Sequence, residues 1–470
     1  MIFRTPQFQF TLVAVLLLGV PTLGQAQQID LDALGEEAVQ RLQEYLRVNT
    51  INPPGNESRA VEFFARIFAA EGIEYETAES APGRGNIWAR LEGGNEPALL
   101  LLHHSDVVPA DMEHWDMDPL SGLLRSDTIY GRGALDTKGL GIIHLQTFLA
   151  LHRSGAPLNR DVIFMATADE EAGGFYGVGW LVDNRAELFQ NVGALLNEGG
   201  GGTLLDGKPQ FGVEVTQKVP LWLKLVAVGE PGHGSRPQVA SAVNRLIRAL
   251  YNIQNYEFAP RIIPAVDAHF KAIAPHSNEF WRPHYQNMSE TVQNRDVLLR
   301  LQIEDPTLHA LTRNACSITM LEGSSKINVV PPDASAQIDC RLLPDQPLDE
   351  FEEELAGVIN DPSIRIERIM GFSPAVSSTD TDTYRAIEHV IGRHYPAARV
   401  NPIVQTGFTD SHFFRDLGIA SYGFSPAITP AQDRSSVHGN NERVSAEQIR
   451  RGTRMMYEIV VEVVGGATVP

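Results

Sequence analysis

Cysteine is nearly absent from this chain, with Cys316 and Cys340 the two in 470 residues. That excludes a small domain stapled by a disulfide framework and leaves two alternatives, one bridge or two buried thiols. Each cysteine lies in a strand-like run, Ala315 to Leu321 and Ala334 to Leu342, with the turn-forming Glu322-Gly323-Ser324-Ser325 between them, so a hairpin would bring the two close. Positive charge is scarce as well. Lys and Arg total 38 against 58 Asp and Glu, a formal charge of −20 that repels phosphate backbones, so no nucleic-acid partner is expected. Long apolar runs are missing beyond the N-terminus, where Arg4, the apolar stretch Phe10 to Val20 and the small residues around Gly24-Gln25-Ala26 have the layout of a signal peptide. Residues 1–26 are therefore expected to direct export, periplasmic or secreted, with no membrane span after their removal; retention as an anchor is the alternative.

What is present is a globular composition, 43% hydrophobic and 20% charged, in a chain too long for one ordinary core. Its centre is Ala98 to Asp106, an apolar run that reads as a buried parallel strand and delivers two histidines and an aspartate at its end. In an extended chain His104 and Asp106 point to one side and His103 and Ser105 to the other. Asp106 can then hold one ring nitrogen of His104 and leave the other free for a metal. Before this strand, Asp30 to Arg47 and Ser58 to Glu71 have helical spacing; after it, Gly131 to Gly139 leads into a helix ending near Leu151, and Asp161 to Thr167 is another buried strand. This alternation predicts an α/β domain with a mostly parallel sheet, whose ligands gather beyond the carboxyl ends of the strands. Asp169-Glu170-Glu171 follows one such strand and Asn197-Glu198-Gly199-Gly200 follows another, Val192 to Leu196. Three acids at one buried strand end repel one another unless cations are near.

From about Val215 the pattern changes. Leu221 to Val228 alternates like an open strand, Val239 to Ile253 and Leu348 to Ile359 read as helices, and with the two cysteine-bearing strands they predict a four-stranded antiparallel sheet carrying two helices on one face. Residues 254–314 read as a long, irregular insertion in that unit. The first rhythm returns near Ser373 and closes with a helix from Ser445 to Val463. The expected organisation is a catalytic domain in two parts, 27–215 and 373–470, around an inserted unit, 216–372.

His104, Asp136, Glu171, Glu198 and His438, with Glu170 as a spare acid, make a nitrogen and oxygen ligand set that suits zinc and better suits a metal pair than a closed structural site. The ordered motifs His-x-Asp-Val-Val-Pro, Gly-Arg-Gly-x-x-Asp-x-Lys-Gly, Asp-Glu-Glu-x-Gly-Gly, Glu-Gly-Gly, Gly-His-Gly-Ser-x-Pro, Asn-Val-x-Pro with a later Asp-x-Arg, and His-Gly-x-Asn-Glu resemble the aminoacylase, carboxypeptidase and acetylornithine-deacetylase family of dinuclear zinc hydrolases over nearly the whole mature chain. The resemblance implies a zinc-exopeptidase-like catalytic domain with helices on both sheet faces and a ferredoxin-like lid through which relatives dimerise. It further implies two Zn2+ per chain, replaceable by Co2+ or Mn2+: Asp136 bridges them, His104 and Glu198 hold one, Glu171 and His438 the other. Asp106 would orient His104, and Glu170 would be the general base for metal-bound hydroxide. His233 would stabilise the oxyanion, across a dimer interface in a homodimer, while Asn328 and Arg341 would recognise the substrate carbonyl and carboxylate. The long insertion resembles the branch of Gly-X carboxypeptidases and N-acyl-amino-acid hydrolases, from which Asn197 departs where many relatives have Asp. The implied reaction is cleavage of an amide next to a free carboxylate, in a small peptide or an N-acyl amino acid, with a deacetylase of N-acetylated amino acids as the alternative. A peptide-capturing protein of the same two-lobed build would need no acid beyond the ligands, and Glu170 beside Glu171 speaks against it.

Overall fold

The computed structural model describes residues 28–205 and 207–465; the signal-peptide segment lies outside the described residues. Its main sheet has eight strands in the order Tyr75–Glu79, Gly85–Leu91, Arg160–Thr167, Glu96–His104, Val192–Leu205, Ala420–Ile428, Lys208–Gln217, Arg399–Gln405. The strand ending in His104 sits inside this sheet, parallel to both neighbours. Leu99, Leu100, Leu101 and Leu102 are all fully buried, because alternate residues enter the cores on opposite faces of the sheet. On one face pack the helices Leu31–Leu46, Ser58–Glu71, Lys138–Ser154, Asp382–His394 and Ala446–Val464, and on the other the shorter Val178–Asn184 and Ser411–Asp416. His103 turns into the first core among Tyr45, Phe64 and Phe164, opposite to His104 as the strand's period requires.

A second sheet, Ala315–Glu322, Asp333–Leu342, Val219–Val228 and Arg365–Gly371 in spatial order, is wholly antiparallel and has its own core with the helices Ala242–Asn255 and Leu348–Ile359. Cys316 and Cys340 are directly opposite on neighbouring strands of this sheet, with Cα atoms 4.0 Å apart, and form a disulfide.

Two expectations are corrected. Val192 to Leu196 does not end the third strand; it continues to Leu205, so Glu198 lies within a bent strand and not in a loop. The bend uses glycine. A Cβ on Gly200 would lie 2.4 Å from the carbonyl oxygens of both Gly212 and Gly423, and Gly199 has a φ of 123°, so the strand leaves one neighbour and clamps against two others. The insertion is also not irregular. It is a run of short helices, chiefly Pro264–Ile273, Trp281–Gln286, Arg295–Glu304 and Pro306–Ala310, around a core of Val266, Phe270, Trp281, Tyr285 and Leu301. Pieces of four to ten residues are too brief to show a helical period in sequence. Its first helix packs on the edge strand Arg399–Gln405 of the main sheet, and Val404 joins its core.

Candidate metal centre

Five residues singled out as ligands converge at the carboxyl ends of the central strands. His104 arrives at the end of its strand, Asp136 just before the Lys138–Ser154 helix, Glu171 on the turn Glu170–Ala172, Glu198 on the bent strand and His438 on the loop before the last helix. His104 Nε2 lies 3.0 Å from Asp136 Oδ1 and 3.5 Å from Glu198 Oε1. His438 Nε2 lies 3.0 Å from the other oxygen, Asp136 Oδ2, and 3.2 Å from Glu171 Oε2. Glu170 stands further back, its Oε2 3.9 Å from His104 Nε2. By proximity alone His104, Asp136 and Glu171 form one candidate cation group, and His104, Glu170 and Glu198 another.

The supports explain the placement. His104 Nδ1 donates to the Asp106 backbone carbonyl at 3.0 Å, with the Asp106 carboxylate 3.5 Å away, which leaves Nε2 as the nitrogen that faces the acids. The Asp106 carboxylate mainly holds the neighbouring turn, accepting from Glu170 N and Glu171 N at 3.2 Å each and from Asn52 at 2.8 Å. Asp169, first of the three acids, turns away to ion-pair with Arg84, so it has its cation within the protein. Its φ of 73° and that of His438, 58°, are left-handed conformations rare for such residues, and strain of this kind gathers at functional sites. Glu442, fully buried, accepts from the backbone N–H groups of Gly133, Leu135 and Asp136 and pairs with Arg132 at 2.7 Å, so it fixes the loop that carries Asp136.

The electrostatics suit a cation. Burial would lower the pKa of His104, yet Glu198, Asp106 and Asp136 raise it well above the usual imidazole value; His438 is pushed up to about 10 by Asp136 and then Glu171. Burial raises Glu170 and Glu198, whereas hydrogen bonds from both histidines outweigh burial at Asp136 and lower it. Glu171 Oε1 is buried with no hydrogen-bond partner. Two imidazole nitrogens, four carboxylates and an orphaned oxygen fit one or more divalent cations with nitrogen and oxygen preference.

The three residues expected to meet substrate belong to the second sheet and the short strand pair Gly232–His233 with Val329–Val330. His233, on the two-residue strand Gly232–His233, is exposed and bonds Ser235; its strand pairs with Val329–Val330, which puts it beside Asn328. Arg341 is held by both oxygens of Asp339, at 2.8 and 3.1 Å, over the Phe408 ring. Among the described residues no hydrogen bond or ion pair ties these three to the metal centre. Asn197 is buried and donates to Ser411 at 3.1 Å. Sequence reasoning missed Asn52, Arg132, Asp410 and a role for Glu442. Asp410 is a buried carboxylate whose pKa burial raises to about 7; its only signal was its place in Gly407-Phe-Thr-Asp-Ser-His412.

Residues 100–462 match the family model described as peptidase family M20/M25/M40, and the chain belongs to that family of hydrolases. Relatives include the mouse (Mus musculus) N-fatty-acyl-amino acid synthase/hydrolase PM20D1, 29% identical over 78% of this chain and 75% of its own length, and rat (Rattus norvegicus) aminoacylase-1B, 27% identical over 92% and 97%. Among solved structures, the M20 family metallo-carboxypeptidase Sso-CP2 from Sulfolobus solfataricus matches with a TM-score of 0.69 at 20% identity, covering 90% of this chain and 98% of that one. Human carnosine dipeptidase 1 gives 0.62 at 17%, covering 92% and 97%, and both likenesses show the shared fold.

Proposed function

We propose that this chain is a dinuclear zinc hydrolase that cleaves an amide bond next to a free carboxylate, in an N-acyl amino acid or a small peptide. The observation that carries the reading is the pair of 3.0 Å approaches by which His104 and His438 address opposite oxygens of the single carboxylate Asp136. His104 and Glu198 would hold one ion, Glu171 and His438 the other, with Asp136 shared. When bound, the two ions polarise the substrate carbonyl and lower the pKa of the attacking water. Glu170 takes the proton from that water and delivers it to the departing nitrogen, a task for a carboxylate beside the metals and not on them. Asp106 keeps Glu170 and Glu171 aimed by accepting from both of their backbone N–H groups. Arg341 would capture the substrate carboxylate, Asn328 its carbonyl, and His233 the oxyanion, with a homodimer joined through the second sheet. Relatives that hydrolyse N-fatty-acyl amino acids, and others named aminoacylases, support the N-acyl class. A disulfide in the second sheet supports export to an oxidising compartment, since such bonds rarely persist in the cytosol.

The test is turnover of a panel of N-acyl amino acids and dipeptides by zinc-loaded protein. Cleavage beside a free carboxylate, lost on chelation and regained with zinc, is expected; no turnover of any member contradicts the reading.

A further inference from the structure

Beside the metal centre opens a cavity of about 710 Å³ whose wall includes Asp136 and Glu198. It lies between the main-sheet edge and the helix Pro264–Ile273 of the insertion, and its apolar lining includes Leu140, Phe211, Ala272, Ile273, Ile403 and Ala427. An acetyl group would leave most of that surface facing water, whereas a cavity of this size accommodates a ligand as large as a drug molecule. Away from the metal centre its one charged group among the described residues is a guanidinium. Apart from the two metal-centre acids no carboxylate lines it; His269 is held neutral by burial, and Arg434, at the rim, donates to Gly202 O at 3.1 Å and shows no ion pair with a carboxylate among the described residues. Apart from the metal-centre acids, the α-ammonium of a peptide's first residue would find a guanidinium and no carboxylate among the described residues of this cavity.

We infer that this cavity is the acyl subsite, that Ala272 and Ile273 of the insertion set the length of the apolar acyl chain, and that Arg434 rejects substrates with a free α-amine. This rests on the proposed function and goes further by choosing N-acyl amino acids over peptides and naming the residues that choose. The acyl chain leaves the reacting carbonyl along the bent glycine strand and ends under the insertion helix, so bulk added at Ala272 shortens the space and bulk removed at Ile273 lengthens it.

The experiment uses the zinc-loaded full chain and the amino acid it turns over best in acetylated form. Acyl groups from acetyl to palmitoyl are compared, together with the propionyl and alanyl derivatives, which differ essentially by one amine. The parent is expected to favour long chains over acetyl and propionyl over alanyl. Ala272→Phe should lower the ratio of long-chain to short-chain kcat/KM by roughly tenfold or more, Ile273→Ala should shift the optimum to longer chains, and Arg434→Glu should narrow the propionyl preference by roughly tenfold. Thermal melting and zinc content identify a misfolded variant. A chain-length profile that neither substitution moves, or alanyl cleaved as well as propionyl by the parent, overturns the inference. If no substrate is cleaved the proposed function fails by itself; the subsite is then read from fluorescence titration with a parinaroyl-amino acid, where Ala272→Phe should weaken binding roughly tenfold and equal affinity overturns it.

Discussion

A carboxylate at a metal centre can ligate, move a proton or hold a turn, and burial alone does not separate the three. Glu170 and Glu171 are adjacent, but Glu171 lies 3.2 Å from His438 Nε2 while the nearest imidazole nitrogen to Glu170 is 3.9 Å away. Glu170→Ala should therefore lower turnover by on the order of a hundredfold or more with metal content unchanged, while Glu171→Ala should lose metal. Equal metal loss in both variants would show the pair to be assigned wrongly. Glu442 holds a turn instead: Glu442→Gln removes the charge that pairs buried Arg132 and disturbs the Asp136 loop. We expect metal affinity to fall roughly 10- to 100-fold and stability by about 3 kcal/mol, measured by competition with a chelator and by denaturant unfolding. Such residues were hard to read in sequence. His104, Asp136, Glu171, Glu198 and His438 each sit in a local motif with glycine or a second acid beside it, but Asn52 reaches Asp106 across 54 positions and Glu442 reaches Asp136 across 306, and no local pattern encodes those distances.

At the scale of elements, the strand and helix rhythm was legible because long buried strands and amphipathic helices keep their periods. The bent strand was not, because a glycine run reads as a loop until its close backbone neighbours are known. Gly200→Ala should place a Cβ against two carbonyl oxygens, costing about 2 kcal/mol or more and displacing Glu198, seen as a lower Tm together with weaker zinc binding. Three helices are clamped by Arg153, which reaches Glu37 at 2.8 Å and Glu71 at 2.5 Å. The Arg153 hydrogen bond holds the Glu71 carboxyl below its ordinary value, and at Glu37 the same guanidinium outweighs burial. A depressed carboxyl contributes stability that is present above the unfolded value of 4.5 and lost as pH falls through the folded one. Arg153→Met should thus cost about 1 kcal/mol near neutral pH and flatten the fall of Tm below pH ~4.5. A variant whose acid limb is as steep as the parent's would contradict this.

For the whole molecule, the family, the two sheets and the convergence on the main sheet's carboxyl edge follow from motifs spread over most of the chain, whereas the insertion's fold and its place over the sheet edge depend on tertiary packing of short helices. Arg341 tests how the second sheet takes part. If it captures the substrate carboxylate, Arg341→Ala should cost roughly 2 to 4 kcal/mol in kcat/KM with free-acid substrates and little with their amides, and parallel loss on both would remove it from recognition. The metal pair itself is tested by elemental analysis of purified protein in step with turnover during zinc titration. About two zinc ions per chain at full activity, with activity following the second ion, is the expected result. One tightly held ion with full activity and no gain on adding zinc or cobalt would contradict it.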